Sequence, residues 1–202
     1  MKPIAPRYLL AVGSLLSALA LPADAALKEG DAAPDFQAPA SLAGKSFPFS
    51  LAAALKTGVV VVYFYPSAYT EGCNIQAHEF AVRHDEFVAA KATVIGVSLD
   101  GIARLNEFSA DPDYCAGKVP VASDADGRIA RSYDLAIKTI NGRVIKDTRG
   151  VEIDHGFAER TTFVLTPDGK VAAVIGGISP SRNVEQALAA VRQISGGRAV
   201  RP

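Results

Sequence analysis

The run Val59-Val60-Val61-Val62-Tyr63-Phe64-Tyr65, closed by Pro66, constrains this chain more than any other stretch. Every position carries a β-branched or aromatic side chain, and nothing charged interrupts it. A strand with one wet face would alternate with polar residues. This one predicts burial on both faces, as in a sheet covered by helices on each side. Ala92 to Leu99 has the same character, and Val119 to Ala122 predicts a shorter strand. Thr161–Thr166 and Val171–Gly176 flank the turn sequence Pro167-Asp168-Gly169-Lys170 and predict a β-hairpin.

Helical segments fall between these strands. Asn74 to Lys91 has few breakers and predicts one helix, with Ile75, Phe80, Phe87 and Val88 as its apolar positions. Asp100–Ser109 predicts a short helix, Asp124–Tyr133 a turn and a brief helix, and Pro180–Ile194 a closing helix with proline in its first turn. Leu42 to Ser50 reads as a loop or short hairpin leading into the fold. Lys138 to Gly156 is polar and punctuated by glycine, so it predicts a long loop and a place for a partner surface. The alternation predicts an α/β fold: a mixed central sheet with helices on both faces and an antiparallel pair at one side. A thioredoxin-like sheet is the simplest architecture with that order.

The first residues follow another logic. Lys2 and Arg7 precede the apolar stretch Leu9–Leu21, and Ala23-Asp24-Ala25 supplies small residues where a signal peptidase reads. The stretch is shorter than the roughly 20 residues of a spanning helix. The expectation is a cleaved signal peptide over 1–25, one domain over 26–202, and a periplasmic or secreted protein. No cysteine directly follows the apolar stretch, so a lipid anchor has no attachment point there. Lys+Arg and Asp+Glu are balanced at 21 each in 202 residues, without a basic run, which argues against nucleic acid and anionic membrane surfaces as partners. Export implies an oxidising compartment, where two cysteines can persist as a disulfide.

Those two cysteines are Cys73 and Cys115. Cys73 closes the stretch "PSAYTEGC", directly after the first buried strand and at the expected start of a helix. Unpaired N–H groups and the positive end of a helix dipole favour thiolate over thiol, and such positions are where cysteine becomes reactive. Thr70 lies three residues earlier, and Pro66 fixes the chain direction as the strand ends. A buried structural cysteine and a metal ligand remain open on these residues alone.

The stretch "FYPSAYTEGC" resembles the peroxiredoxin active-site sequence, with Pro66, Thr70 and Cys73 in its P-x-x-x-T-x-x-C register. "ERTTFVLTPDGKV" resembles the later strand that carries that family's distal arginine, which makes Arg160 the matching residue. The similarity runs from about Gly30 to Ile194 and is nearest to the peroxiredoxin Q, or bacterioferritin-comigratory-protein, branch. It implies a thioredoxin-like fold, and a peroxidase whose Cys73 thiolate attacks a peroxide and becomes a sulfenic acid. It gives Arg160 the task of holding the thiolate and the peroxide oxygens, and Thr70 and nearby N–H groups that of orienting them. It implies a thiol reductant, thioredoxin-like or small, a monomer or homodimer, and no cofactor or metal.

Two departures from the pattern stand out. Many members of the branch carry a resolving cysteine five residues after the first, where this chain has His78. Others carry it near the helix after the second strand, and Cys115 falls just past that region, in an expected loop. Gln76 stands where many peroxiredoxins have glutamate, which puts proton management in question. The competing readings are a thiol–disulfide oxidoreductase, a soft-metal (copper) protein and an inactive binding module. The first wants C-x-x-C, but Gln76 occupies the second position; the second wants C-x-x-x-C, but Ala77 does, leaving His155 as a remote ligand.

Overall fold

The computed structural model describes residues 27–197, so the expected signal peptide lies outside the described residues. The chain forms β1 (Gln37–Leu42), β2 (Lys45–Ser50), α1 (Leu51–Leu55), β3 (Val59–Phe64), α2 (Glu71–Val82), α3 (His84–Ala89), β4 (Ala92–Ser98), α4 (Ile102–Ala110) and β5 (Val121–Ser123). It continues with α5 (Arg128–Ser132), β6 (Ile137–Lys138), β7 (Ile145–Lys146), β8 (Glu152–Ile153), β9 (Phe157–Ala158), β10 (Thr161–Leu165), β11 (Val171–Gly176) and α6 (Pro180–Gly197). Seven strands make one mixed sheet in the order β11-β10-β3-β4-β5-β1-β2. As its sequence requires, β3 is central and buried at every position. Val59, Val61, Tyr63 and Tyr65 face α2, α3, α4 and α6, while Val60, Val62 and Phe64 face a second core with Leu51, Ala130 and Tyr133. This is the thioredoxin-like arrangement.

Pairing registers decide what meets at the sheet's edge. β3 runs parallel to β4, with Phe64 opposite Val97, and antiparallel to β10, with Phe64 opposite Thr161. The carboxyl ends of β3 and β4 and the start of β10 therefore lie together. Residues 65–73, 98–100 and 160 are brought to one edge although they are far apart in sequence.

The structure corrects several expectations. The helix expected over Asn74–Lys91 begins at Glu71 and divides at Arg83 into α2 and α3. Across the break Phe80 and Phe87, with ring centroids 5.6 Å apart, both stay in the core. Ile75 and Val88, read as core positions, are exposed. An antiparallel pair was expected at one side of the sheet, but both sides have one, β10–β11 and β1–β2. The β1–β2 turn uses Ala43 and Gly44, both with positive φ, as a tight hairpin demands. Residues 138–156 are not a plain loop. They contain the ladder β7–β8, are bracketed by the ladder β6–β9, and fold back onto the edge that carries residues 65–73.

Gly96 on β4 shows how tightly the core under that edge is filled. A Cβ there would meet the Tyr63 ring, 2.5 Å from Cζ and 2.6 Å from Oη. The Tyr63 hydroxyl is fully buried and has no hydrogen-bond partner among the described residues. Gly96→Ala is expected to destabilise the protein by about 1–3 kcal/mol through overpacking. Tyr63→Phe, which removes only an unsatisfied hydroxyl, is expected to be neutral or stabilising. Urea unfolding of both variants checks this, and an unperturbed Gly96→Ala would mean that the ring has room to move.

Candidate active site

The segment Tyr65–Thr70 carries the chain from β3 into α2. Tyr65 N–H still pairs with Val97 O at 3.1 Å, and Pro66, which has no N–H to offer, ends the ladder. Thr70 is the N-cap of α2 by backbone geometry, and Cys73 sits in the helix's first turn, 1% exposed. The N–H groups of Cys73 and Asn74 both donate to Thr70 O, at 2.9 and 2.8 Å. Thr70 Oγ1 donates to Ser67 O at 2.9 Å, so it stiffens the turn and keeps its lone pairs as acceptors.

Arg160 arrives from the residue before β10. Its Nη2 lies 3.4 Å from Cys73 Sγ, and its Nη1 donates to Gln76 Oε1, one helical turn further along α2. A Cβ on Gly72 would stand 3.0 Å from Arg160 Nη2, so the missing side chain at position 72 is what lets the guanidinium lie across the start of α2. A guanidinium and the amino end of a helix thus converge on one sulfur. Both are groups that attract negative charge.

Below this pair, a cluster that sequence reading missed holds the loop. Asp100, fully buried, accepts from Ser67 Oγ at 2.8 Å, Ala68 N–H at 2.7 Å and Ser98 Oγ at 2.7 Å. Arg104 Nε lies 2.9 Å from Asp100 Oδ1 but off its N–H axis, so that contact is ionic; Arg104 Nη2 donates to Ala68 O at 2.8 Å. Residues 147–149 complete the clamp. Asp147 pairs with Arg104 and Arg149, at 2.8 and 3.2 Å. Thr148 N–H and Oγ1 both donate to Tyr69 O, at 2.9 and 2.8 Å, and Arg149 Cζ lies 3.3 Å from the centre of the Tyr69 ring. Tyr69 has φ +61, a left-handed conformation that a bulky residue keeps only when its surroundings hold it. The polar excursion, expected as a loop, thus supports the loop that leads to Cys73.

His155 joins the same carboxylate. Its Nδ1 faces Gly156 O at 2.8 Å and its Nε2 faces Asp100 Oδ1 at 2.9 Å. Both partners are acceptors, an arrangement that suits a ring carrying hydrogen on both nitrogens. Neither nitrogen is left to bind a metal. Cys115 is also buried, in the same core cluster as Cys73, and not disulfide-bonded. Burial first, and then the charge of Asp111, push its thiol far above the ordinary range. It does not sit on an open loop, because residues 111–119 form a run of hydrogen-bonded turns that closes over it.

The His155–Asp100 pair gives stability a pH signature. Burial disfavours the charged ring, but the hydrogen bond and charge of Asp100 offset this and hold His155 above 6.5. Burial likewise opposes the carboxylate, but the hydrogen bonds and charge of His155, Ala68 and Ser98 hold Asp100 below 3.8. The histidine's contribution is fully present below its unfolded value of 6.5 and is lost as pH rises through the folded value. That of Asp100 is present above its unfolded value of 3.8 and is lost as pH falls through its folded one. His155→Gln is therefore expected to lose melting temperature mainly at about pH 6 and much less at about pH 9. Thermal unfolding across that range checks it, and an equal loss at both ends would exclude the pair as the source.

Comparison with known proteins agrees with this geometry. The AhpC/TSA family signature matches residues 29–174. A putative peroxiredoxin of Mycobacterium tuberculosis is 30% identical over 172 residues, covering 85% of this chain and all of the relative. The crystal structure of the peroxidoxin BcpB from Mycobacterium tuberculosis superposes with a TM-score of 0.66 at 30% identity, over 87% of this chain and 99% of that one. Xanthomonas campestris peroxiredoxin Q does so with a TM-score of 0.62 at 28% identity, over 78% and 90% of the two chains. The family match, the relatives and the shared fold agree: the chain belongs to the AhpC/TSA family and is a peroxiredoxin of the Q, or bacterioferritin-comigratory-protein, branch.

Proposed function

We propose that this thiol peroxidase uses Cys73 as its nucleophile, Arg160 as its electrostatic partner and Cys115 as its resolving thiol. The observation that carries the reading is Arg160 Nη2 at 3.4 Å from Cys73 Sγ, at the positive end of α2. The thiolate attacks one oxygen of hydrogen peroxide or an organic hydroperoxide. The S–O bond forms as the O–O bond breaks, and the leaving hydroxide or alkoxide takes a proton to become water or alcohol. Arg160 stabilises the charge growing on the oxygens, and Thr70 supplies an acceptor for the peroxide hydrogen.

In the second half-reaction the Cys115 sulfur attacks the Cys73 sulfenic sulfur. The S–S bond forms, the S–O bond breaks, and the hydroxide leaves as water with the proton of Cys115. Cys115 is a poor nucleophile where it lies, because burial keeps it protonated. Its segment must first leave the core, breaking the bond from His78 Nδ1 to Asp113 O, 2.9 Å, that ties it to α2. A thioredoxin-like dithiol, or two small thiols, then reduces the disulfide. The amino-terminal pattern supports a periplasmic or secreted setting, and a monomer or homodimer suffices for this chemistry.

The central test is peroxide consumption by the reduced protein in stopped flow. Cys73→Ser is expected to fall to background, and Arg160→Met to lose roughly 10²–10³-fold. A Cys73→Ser variant as fast as the parent would exclude this nucleophile. Cys115→Ser is expected to complete one turnover and stop at a sulfenic acid that excess peroxide drives further up the oxidation ladder. Mass spectrometry without reductant reads this directly, and a parent protein that forms no Cys73–Cys115 bridge removes Cys115 from the cycle.

A further inference from the structure

Tyr69 is the only aromatic or β-branched residue with a positive φ among the described residues. A bulky side chain keeps that conformation only where its neighbours over-determine it, and such positions cluster at switch regions. The neighbours of Tyr69 come from two directions, and each direction leads to one of the two cysteines.

Its backbone belongs to the Cys73 side. Thr148 Oγ1 donates to Tyr69 O at 2.8 Å and accepts from Asn74 Nδ2 at 3.4 Å. One hydroxyl of the strap 147–149 therefore joins the residue four before Cys73 to the residue just after it, stapling the turn that carries the sulfur. Thr148 N–H adds a second bond to the same carbonyl, at 2.9 Å. The ring of Tyr69 belongs to the Cys115 side. It meets the rings of Phe108 and Tyr114 edge-on, with centroids 5.0 and 5.6 Å away, and Tyr114 directly precedes Cys115. Arg149 covers the ring and is itself held by Glu107 at 3.0 Å and Asp147 at 3.2 Å. Just past Cys115, Ala116 also has a positive φ, +52. Both cysteines thus lie near left-handed backbone, and one side chain is locked to both segments.

We propose that Tyr69 is the shared release point of the two cysteine segments, and that Thr148 and Arg149, by setting how often it lets go, are positioning residues for the step that joins Cys73 to Cys115. This rests on the reading of Cys73 as nucleophile and Cys115 as resolving thiol. When Tyr69 leaves its left-handed conformation, the staple across Cys73 opens and Tyr114 loses the ring it packs against. The first turn of α2 and the cover over Cys115 then loosen in one event. The strap thereby decides the fate of the sulfenic acid. Released, Cys73 meets Cys115, and the S–S bond forms as water leaves. Held, the sulfenic sulfur stays in the site, where a second peroxide transfers one oxygen to it and leaves as water or alcohol, giving sulfinic acid.

The test compares Thr148→Val, Arg149→Leu and Arg149→Lys with the parent in the full chain; both positions are exposed, so the variants fold. Hydrogen exchange of the reduced protein reads residues 66–74 and 111–119. Quenched mass spectrometry reads the rate of disulfide formation and the peroxide concentration that converts half the protein to sulfinic acid. Thr148→Val removes the staple and Arg149→Leu the cation on the ring. Each is expected to raise exchange in both segments together and to speed disulfide formation by roughly three- to tenfold. The half-overoxidation concentration rises by a similar factor. Arg149→Lys keeps a cation and stays near the parent. A merely structural role would lower the melting temperature without speeding the second step. Parental exchange in Thr148→Val and Arg149→Leu, exchange that rises in one segment only, or disulfide formation that is unchanged or slower overturns the proposal. A parent protein that forms no Cys73–Cys115 bridge refutes the resolving assignment instead, and exchange in the reduced protein then decides whether Tyr69 couples the two segments.

Discussion

The structure depends on Asp100, a carboxylate with no exposed surface at the end of β4. A buried charge survives only if it is paired and hydrogen-bonded. Here Ser67, Ala68, Ser98 and His155 donate to it, and Arg104 adds its charge. Two of those donors belong to the loop that delivers Cys73. Satisfying Asp100 and shaping the active-site loop are therefore the same event. Arg104 passes the constraint to Asp147, and Thr148 and Arg149 pass it to Tyr69, whose left-handed backbone would otherwise relax.

Two different kinds of polar network meet at Cys73. The ionic one, around Asp100 and Asp147, lies under the loop and fixes backbone. The neutral one, from Ile175 O through Asn183 and Gln76, lies beside α2 and fixes a side chain. This division has a physical basis. An amide relays direction without adding charge. Beneath the loop, backbone N–H and hydroxyl donors screen the carboxylates from the sulfur.

The parts of the fold written in runs of one character were legible in the sequence. The unbroken apolar stretch of β3 announced a central strand, the Pro-Asp-Gly-Lys turn announced β10–β11, and the strand–helix alternation announced the α/β layers. Errors came where position on a helix face decided the outcome. Ile75 and Val88 have apolar side chains at helical spacing, yet α2 and α3 turn them outward because Phe80 and Phe87 are larger and take the core. The segment 138–156 misled for the opposite reason. Asp147 and His155 look like solvated loop residues, and only their pairing, Asp147 with Arg104 and Arg149 and His155 with Asp100, makes their withdrawal from water tolerable.

Sequence alone determined that a cysteine follows a buried strand at the start of a helix, with Thr70 and Pro66 in register and Arg160 on a later strand. Those facts are local, or depend on a pattern of residue types, and so can be read along the chain. Tertiary structure decided which groups face the sulfur. The parallel pairing of β3 with β4 brought in Asp100, the antiparallel pairing with β10 brought in Arg160, and the packing of α6 against α2 brought Asn183 to Gln76. It also decided that Cys115 begins buried beneath its turn rather than free on a loop. Hydrogen bonds between residues scores of positions apart leave no spacing in the sequence to find, because their geometry exists only once the sheet has set its register.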